Sequence, residues 1–150
     1  IVDSLVGSEM CIRDRLLTHE DSSKRIEAAK AWSVWEGSTV KLIQNKALME
    51  HSSDAQFAEA FSRIECHYFT NNGWFDTDNY LIENVDKIRH IPAVIVHGRY
   101  DVVCPVENAW ELHKAWPESD LHIIPDSGHA MSEEGIKNKL IEYTDKFLKL

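Results

Sequence analysis

Residues 91–132 constrain the fold more than any other stretch. They run IPAVIVHGRYDVVCPVENAWELHKAWPESDLHIIPDSGHAMS. An apolar run at Ala93–Val96 leads into a glycine-containing loop that carries Asp101. A helical pattern follows and stops at Pro117. A second apolar run, Leu121–Ile124, leads into another glycine-containing loop that carries His129. Strand, helix and strand in so short a span make a βαβ unit, and its two strands are expected to be parallel. Neighbouring parallel strands end on one edge of the sheet, roughly 5 Å apart. Asp101 and His129 are therefore expected side by side on the rim where open α/β sheets bind ligands. A carboxylate beside an imidazole is two-thirds of a nucleophilic triad. Read alone, Asp101 is equally a cap for the turn after it, and His129 a loop residue. The pairing on adjacent strands is what favours catalysis.

The third member is missing. In the α/β-hydrolase order the chain meets serine first, then the acid, then histidine, with the serine in a G-x-S-x-G elbow. No such elbow occurs: Gly37-Ser38 and Ser127-Gly128 both lack the second glycine at the right spacing. The expectation is the second half of a longer enzyme.

Charge narrows the partners. A net charge of -9 with no Lys/Arg cluster argues against a nucleic-acid or anionic-membrane surface and is compatible with a cationic substrate. Three widely separated cysteines in no metal-ligand spacing argue against a disulfide framework or a zinc site, and suit a cytoplasmic protein. No apolar run approaches the length of a membrane span.

Residues 1–15 lack any sustained period. Leu5–Asp14 (LVGSEMCIRD) resembles the translation of an adapter used in sequencing libraries. A sequencing artefact or a disordered leader is expected there, so Cys11 is set aside. Helical periods follow. Residues 19–36 place Ala28, Trp32 and Trp35 on one stripe, with Asp21 or Ser22 as cap and Gly37 as stop. A short helix is expected over Thr39–Glu50. A third runs from near Asp54 to about Phe69, with the stripe Phe57, Phe61, Ile64 and Tyr68. Glu65 lies four residues after Phe61, on or beside that stripe, where a carboxylate must be paired or serve a ligand. Asn71-Asn72-Gly73 signals a turn, and Leu81–Ile88 one more short helix. A last helix begins near Ser132, with Ile136, Leu140, Tyr143 and Phe147 on the face toward the sheet. His97, His113 and His122 read as structural or surface residues, and Glu133-Glu134 as favourable first-turn charge.

The words AWSVWEG (31–37), RIECHYF (63–69), IPAVIVHGRYDVVCP (91–105), AWELHKAWP (109–117) and SGHA (127–130) together resemble proline iminopeptidases, serine peptidases of the α/β-hydrolase fold with a helical cap. The resemblance covers about residues 17–150. It implies an α/β fold: a helical cap region over 16–88 and a C-terminal βαβα part of the hydrolase domain over 89–150. It makes Asp101 the triad acid and His129 the general base. It makes Glu36 and Glu65 the cap carboxylates that bind the substrate's N-terminal imino group, with Trp35 or Tyr68 as a ring wall. Where the family usually follows RIE with Asn, this chain has Cys66. Cys104, three residues after the acid, is expected to pack near the site. The implied substrate is a peptide with N-terminal proline, and no metal or organic cofactor is required. Two other readings stay open: another capped α/β hydrolase, such as an esterase or epoxide hydrolase, and a non-catalytic binding module using the cap pocket.

Overall fold

The computed structural model describes residues 15–149. The expected leader covers residues 1–15; all of it but Arg15, Cys11 included, lies outside those described, and Arg15 is helical. The chain forms two compact units. One holds the described residues up to Ser38 together with Asn45–Asp76; the other holds Thr39–Gln44 and the described residues from Thr77 onward.

The first unit is helical: α1 (Ser22–Thr39), α2 (Lys46–Ser52) and α3 (Ala55–Thr70). Its core is Leu17, Ala29, Trp32, Ala58 and Cys66, flanked by Ala28 and Phe61. Small residues let α1 and α3 approach closely. Ala29 and Ala58 are fully buried, and the Ser62 hydroxyl donates to the Ala29 carbonyl at 3.0 Å. Burying Trp32 supplies roughly 2–3 kcal/mol of hydrophobic stabilisation, and Arg25 on α1 pairs with Glu59 on α3.

This packing corrects the expected stripes. On α3 the buried face is Ala58, Ser62 and Cys66, whereas Ile64 and Tyr68 are more than half exposed. Close backbone approach selects the small side chains and turns the large ones outward. On α1 the buried set is Ala29, Trp32 and Ser33, and Trp35 stands in solvent. Gly37 does not end α1, which continues to Thr39. A Cβ at Gly37 would lie 2.3 Å from Ser52 Oγ, so this glycine serves close packing against α2.

The expected helix over Thr39–Glu50 is shorter and later. Residues 39–44 leave the helical unit, and Asn45 caps α2 by accepting from the Leu48 N–H at 3.0 Å. The cap at Asp54 is as expected, its side chain accepting from the Phe57 N–H at 2.9 Å. The Asn71–Gly73 turn is also present, with positive φ at Asn72, Gly73 and Trp74.

The second unit is α/β. Instead of one helix over Leu81–Ile88 there are α4 (Tyr80–Glu83) and a 3₁₀ turn at Val85–Lys87. The Asn84 side chain donates to the Tyr80 carbonyl at 2.7 Å, competing with the helical ladder at the break. Then come β1 (Val94–Gly98), α5 (Val106–Ala115), β2 (Asp120–Ile124) and α6 (Glu134–Phe147). The strands are parallel, in register from Val94 opposite Asp120 to Gly98 opposite Ile124. α6 buries Ile136 and Tyr143, two of the four residues expected on its inner face, and Leu140 and Phe147 are half-buried.

Tyr143 anchors α6 through its hydroxyl, which donates to Asp120 at 3.0 Å and accepts from His122 Nε2 at 2.7 Å. Burial, then the Asp120 carboxylate, pushes its phenol above the ordinary range. His113 bonds Ser119 at 3.0 Å, so His113 and His122 are structural.

Candidate active site

Both strands end at the same rim, and their outgoing loops are bonded to each other. The Arg99 N–H donates to the Ile124 carbonyl at 2.8 Å, and the Tyr100 N–H to the Ser127 carbonyl at 3.0 Å. Asp101 follows β1 by three residues, and His129 follows β2 by five. The structure brings them together: His129 Nδ1 lies 2.9 Å from Asp101 Oδ2. The other carboxylate oxygen, Oδ1, accepts the backbone N–H groups of Val103 at 2.9 Å and Cys104 at 2.8 Å. The capping reading and the pairing reading therefore both hold, one per oxygen. The Asp101 side chain is 4 % exposed and that of His129 37 % exposed. A buried, three-bonded carboxylate faces an imidazole that is partly exposed. Such a pair holds Nδ1–H toward the acid and leaves Nε2 as a base.

Gly98 lets the loops close. A Cβ there would sit 1.9 Å from the Gly128 carbonyl oxygen and 2.6 Å from that of Ser127, both backbone atoms. Gly98→Ala is expected to cost about 3 kcal/mol through overpacking and to separate the acid and base loops. Urea unfolding of the variant checks this; an unchanged midpoint contradicts it.

Three neighbours were not read as site residues from the sequence. His97, expected to be structural, places Nε2 2.9 Å from the Cys104 carbonyl and 3.5 Å from Asp101 Oδ2. It braces the turn that carries the acid. Glu133, expected to supply only first-turn charge, accepts from the Gly128 N–H at 2.9 Å and the Leu42 N–H at 3.3 Å. Val40, in the segment expected to be helical, accepts at its carbonyl from His129 N–H at 3.1 Å and Ala130 N–H at 2.7 Å. No local signal announces these bonds, because Leu42 and Glu133 are 91 residues apart. Cys104 is exposed in the loop that carries Asp101, to which its backbone N–H donates, next to the site as expected.

The two expected cap carboxylates lie in the helical unit. Glu65 accepts a hydrogen bond from the Trp32 indole N–H. Glu36 lies four residues after Trp32, about one turn further along α1. Glu36 also occupies the last turn of α1, which holds no basic side chain. Trp35 lines an apolar cleft of about 330 Å³ with Leu16, Leu17, Ala28, Ala31 and Trp32. Tyr68 instead stands edge-on to Trp74 at 5.1 Å. Cys66 is buried in the helical core and leaves Glu65 in place.

The alpha/beta hydrolase fold family matches residues 13–136. A probable proline iminopeptidase of Leptolyngbya boryana is 58% identical over 134 residues, which are 89% of this chain and 42% of that one. The proline iminopeptidase of Arabidopsis thaliana is 48% identical over 87% of this chain and 34% of its own length. That of Neisseria gonorrhoeae is 38% identical over 89% of this chain and 41% of its own. The chain thus spans about two-fifths of the length of the first of these relatives. Among solved structures, an esterase from Exiguobacterium antarcticum superposes with a TM-score of 0.55 at 21% identity, over 94% of this chain and 48% of that one, a likeness of fold.

Proposed function

This chain belongs to the α/β-hydrolase fold family, and from that premise we propose that it is the C-terminal part of a serine exopeptidase releasing N-terminal proline from peptides. Residues 16–88 form the cap region in this reading, and residues 89–150 the end of the hydrolase domain. The observation that carries it is the 2.9 Å bond between His129 Nδ1 and Asp101 Oδ2 at the common rim of two parallel strands. The relatives named proline iminopeptidase support the substrate class.

The chemistry follows from the residue types. A serine supplied by the longer protein attacks the proline's own carbonyl, the C–N bond to the next residue breaks, and water then hydrolyses the resulting prolyl ester to free proline and the restored serine. His129 Nε2 takes the serine proton and passes it to the departing amine. Asp101 holds the imidazole tautomer and stabilises the imidazolium that forms. An N-terminal proline carries a secondary ammonium with two N–H donors. Glu36 and Glu65 bind it through charge-assisted hydrogen bonds, strengthened as water is excluded. No described helix is long and apolar enough to cross a membrane, and a cytoplasmic location is part of this proposal.

The 150-residue chain has no G-x-S-x-G elbow, so it is expected to release no proline from proline 2-naphthylamide. The same chain extended to the length of its relatives, elbow included, is expected to do so, and to prefer that substrate over simple esters. Proline release by the 150-residue chain, or ester hydrolysis preferred by the extended one, overturns the proposal.

A further inference from the structure

We infer that Glu133 is a positioning residue for His129, acting through a carboxylate staple that fixes the base loop to the segment Thr39–Gln44. The inference rests on Asp101 and His129 being the acid and base, and adds a residue that neither touches substrate nor takes part in proton transfer.

One oxygen, Oε1 of Glu133, accepts both the Gly128 N–H at 2.9 Å and the Leu42 N–H at 3.3 Å. Gly128 is the residue immediately before the base, and it is buried. On the other side of His129 the same segment contributes the Val40 carbonyl, which takes the N–H groups of both His129 and Ala130. The base loop is therefore held on both sides of the imidazole by one six-residue segment. The carboxylate is the only charged partner in these four bonds.

The fit is tight as well as polar. A Cβ at Gly128 would lie 3.0 Å from Glu133 Oε1 and 3.0 Å from the Leu42 nitrogen. The loop has little room to drift while the staple is closed. His129 meets Asp101 through a single bond, so a loop displacement of a few tenths of an ångström is felt at Nδ1 directly. Charge-assisted bonds are about twice as strong as neutral ones, which suits an acceptor that serves two donors at once.

The test uses NMR on the 150-residue chain with Glu133→Ala and Glu133→Gln. Two signals are read: the downfield Nδ1 proton of His129, and hydrogen exchange at the Gly128 and Leu42 amides. Glu133→Ala is expected to lose the imidazole signal and to speed exchange at both amides about tenfold or more, while the ladder amides of β1 and β2 keep their protection. Glu133→Gln retains an oxygen acceptor and is expected to keep the imidazole signal. An undisturbed imidazole proton in Glu133→Ala, or equal disturbance by alanine and glutamine, overturns the inference. If the alanine variant does not fold, the glutamine variant decides. Exchange at Gly128 and Leu42 faster than in the wild-type chain, with the strand amides of β1 and β2 unchanged, supports the staple, and unchanged exchange at Gly128 and Leu42 overturns it. These readouts are independent of turnover. A chain that keeps the His129 signal yet releases no proline when extended fails the proposed activity and leaves the staple standing.

Discussion

Replacing Asp101 by asparagine in the chain extended to its relatives' length is expected to lower kcat for proline release by about 10⁴, with little change in KM. The loop dictates this result. Oδ1 of Asp101 accepts two backbone N–H groups, from Val103 and Cys104. An asparagine must keep its oxygen on that side, because its NH₂ group cannot face two donors. The NH₂ then faces His129 Nδ1, which in the native chain is 2.9 Å from Oδ2. The imidazole responds by accepting at Nδ1 and carrying its proton on Nε2. In that tautomer it cannot take a proton from serine. The carboxamide is nearly the size of the carboxylate, so the loop and the substrate pocket stay in place. Steady-state kinetics on proline 2-naphthylamide give the answer, and a kcat within tenfold of wild type contradicts the assignment of the acid.

How much of this was legible in the sequence depends on range. The βαβ unit was, because its apolar runs are bounded by glycine loops and proline, and each signal is local. The caps at Asp54 and the inner face of α6 were legible for the same reason. The face of α3 was not. Periodicity finds large apolar residues, whereas the helix buries Ala58, Ser62 and Cys66 to meet Ala29 on α1. Nor was the end of α1, because Gly37 reads as a stop until Ser52 is known to lie against it. In the site, the pairing of Asp101 with His129 could be found by strand-end counting. His97, Val40 and Glu133 act through backbone bonds whose partners only the fold supplies.

The cap carboxylates give the other large effect. Glu65→Gln in the extended chain is expected to raise KM for proline 2-naphthylamide about a hundredfold, equivalent to about 3 kcal/mol, with a much smaller change in kcat. Glutamine keeps an oxygen that can accept from the Trp32 indole N–H, as Glu65 does, so α1 and α3 remain joined. What is removed is the negative charge facing the substrate ammonium. Glu36→Gln is expected to act in the same direction. In the proposed reading both carboxylates serve one cation, so the two effects are not expected to add. A simple ester without an amine is the internal control: its hydrolysis should be unchanged by either substitution. If proline 2-naphthylamide and the ester lose activity in parallel, Glu36 and Glu65 hold the helices together and do not read the amine.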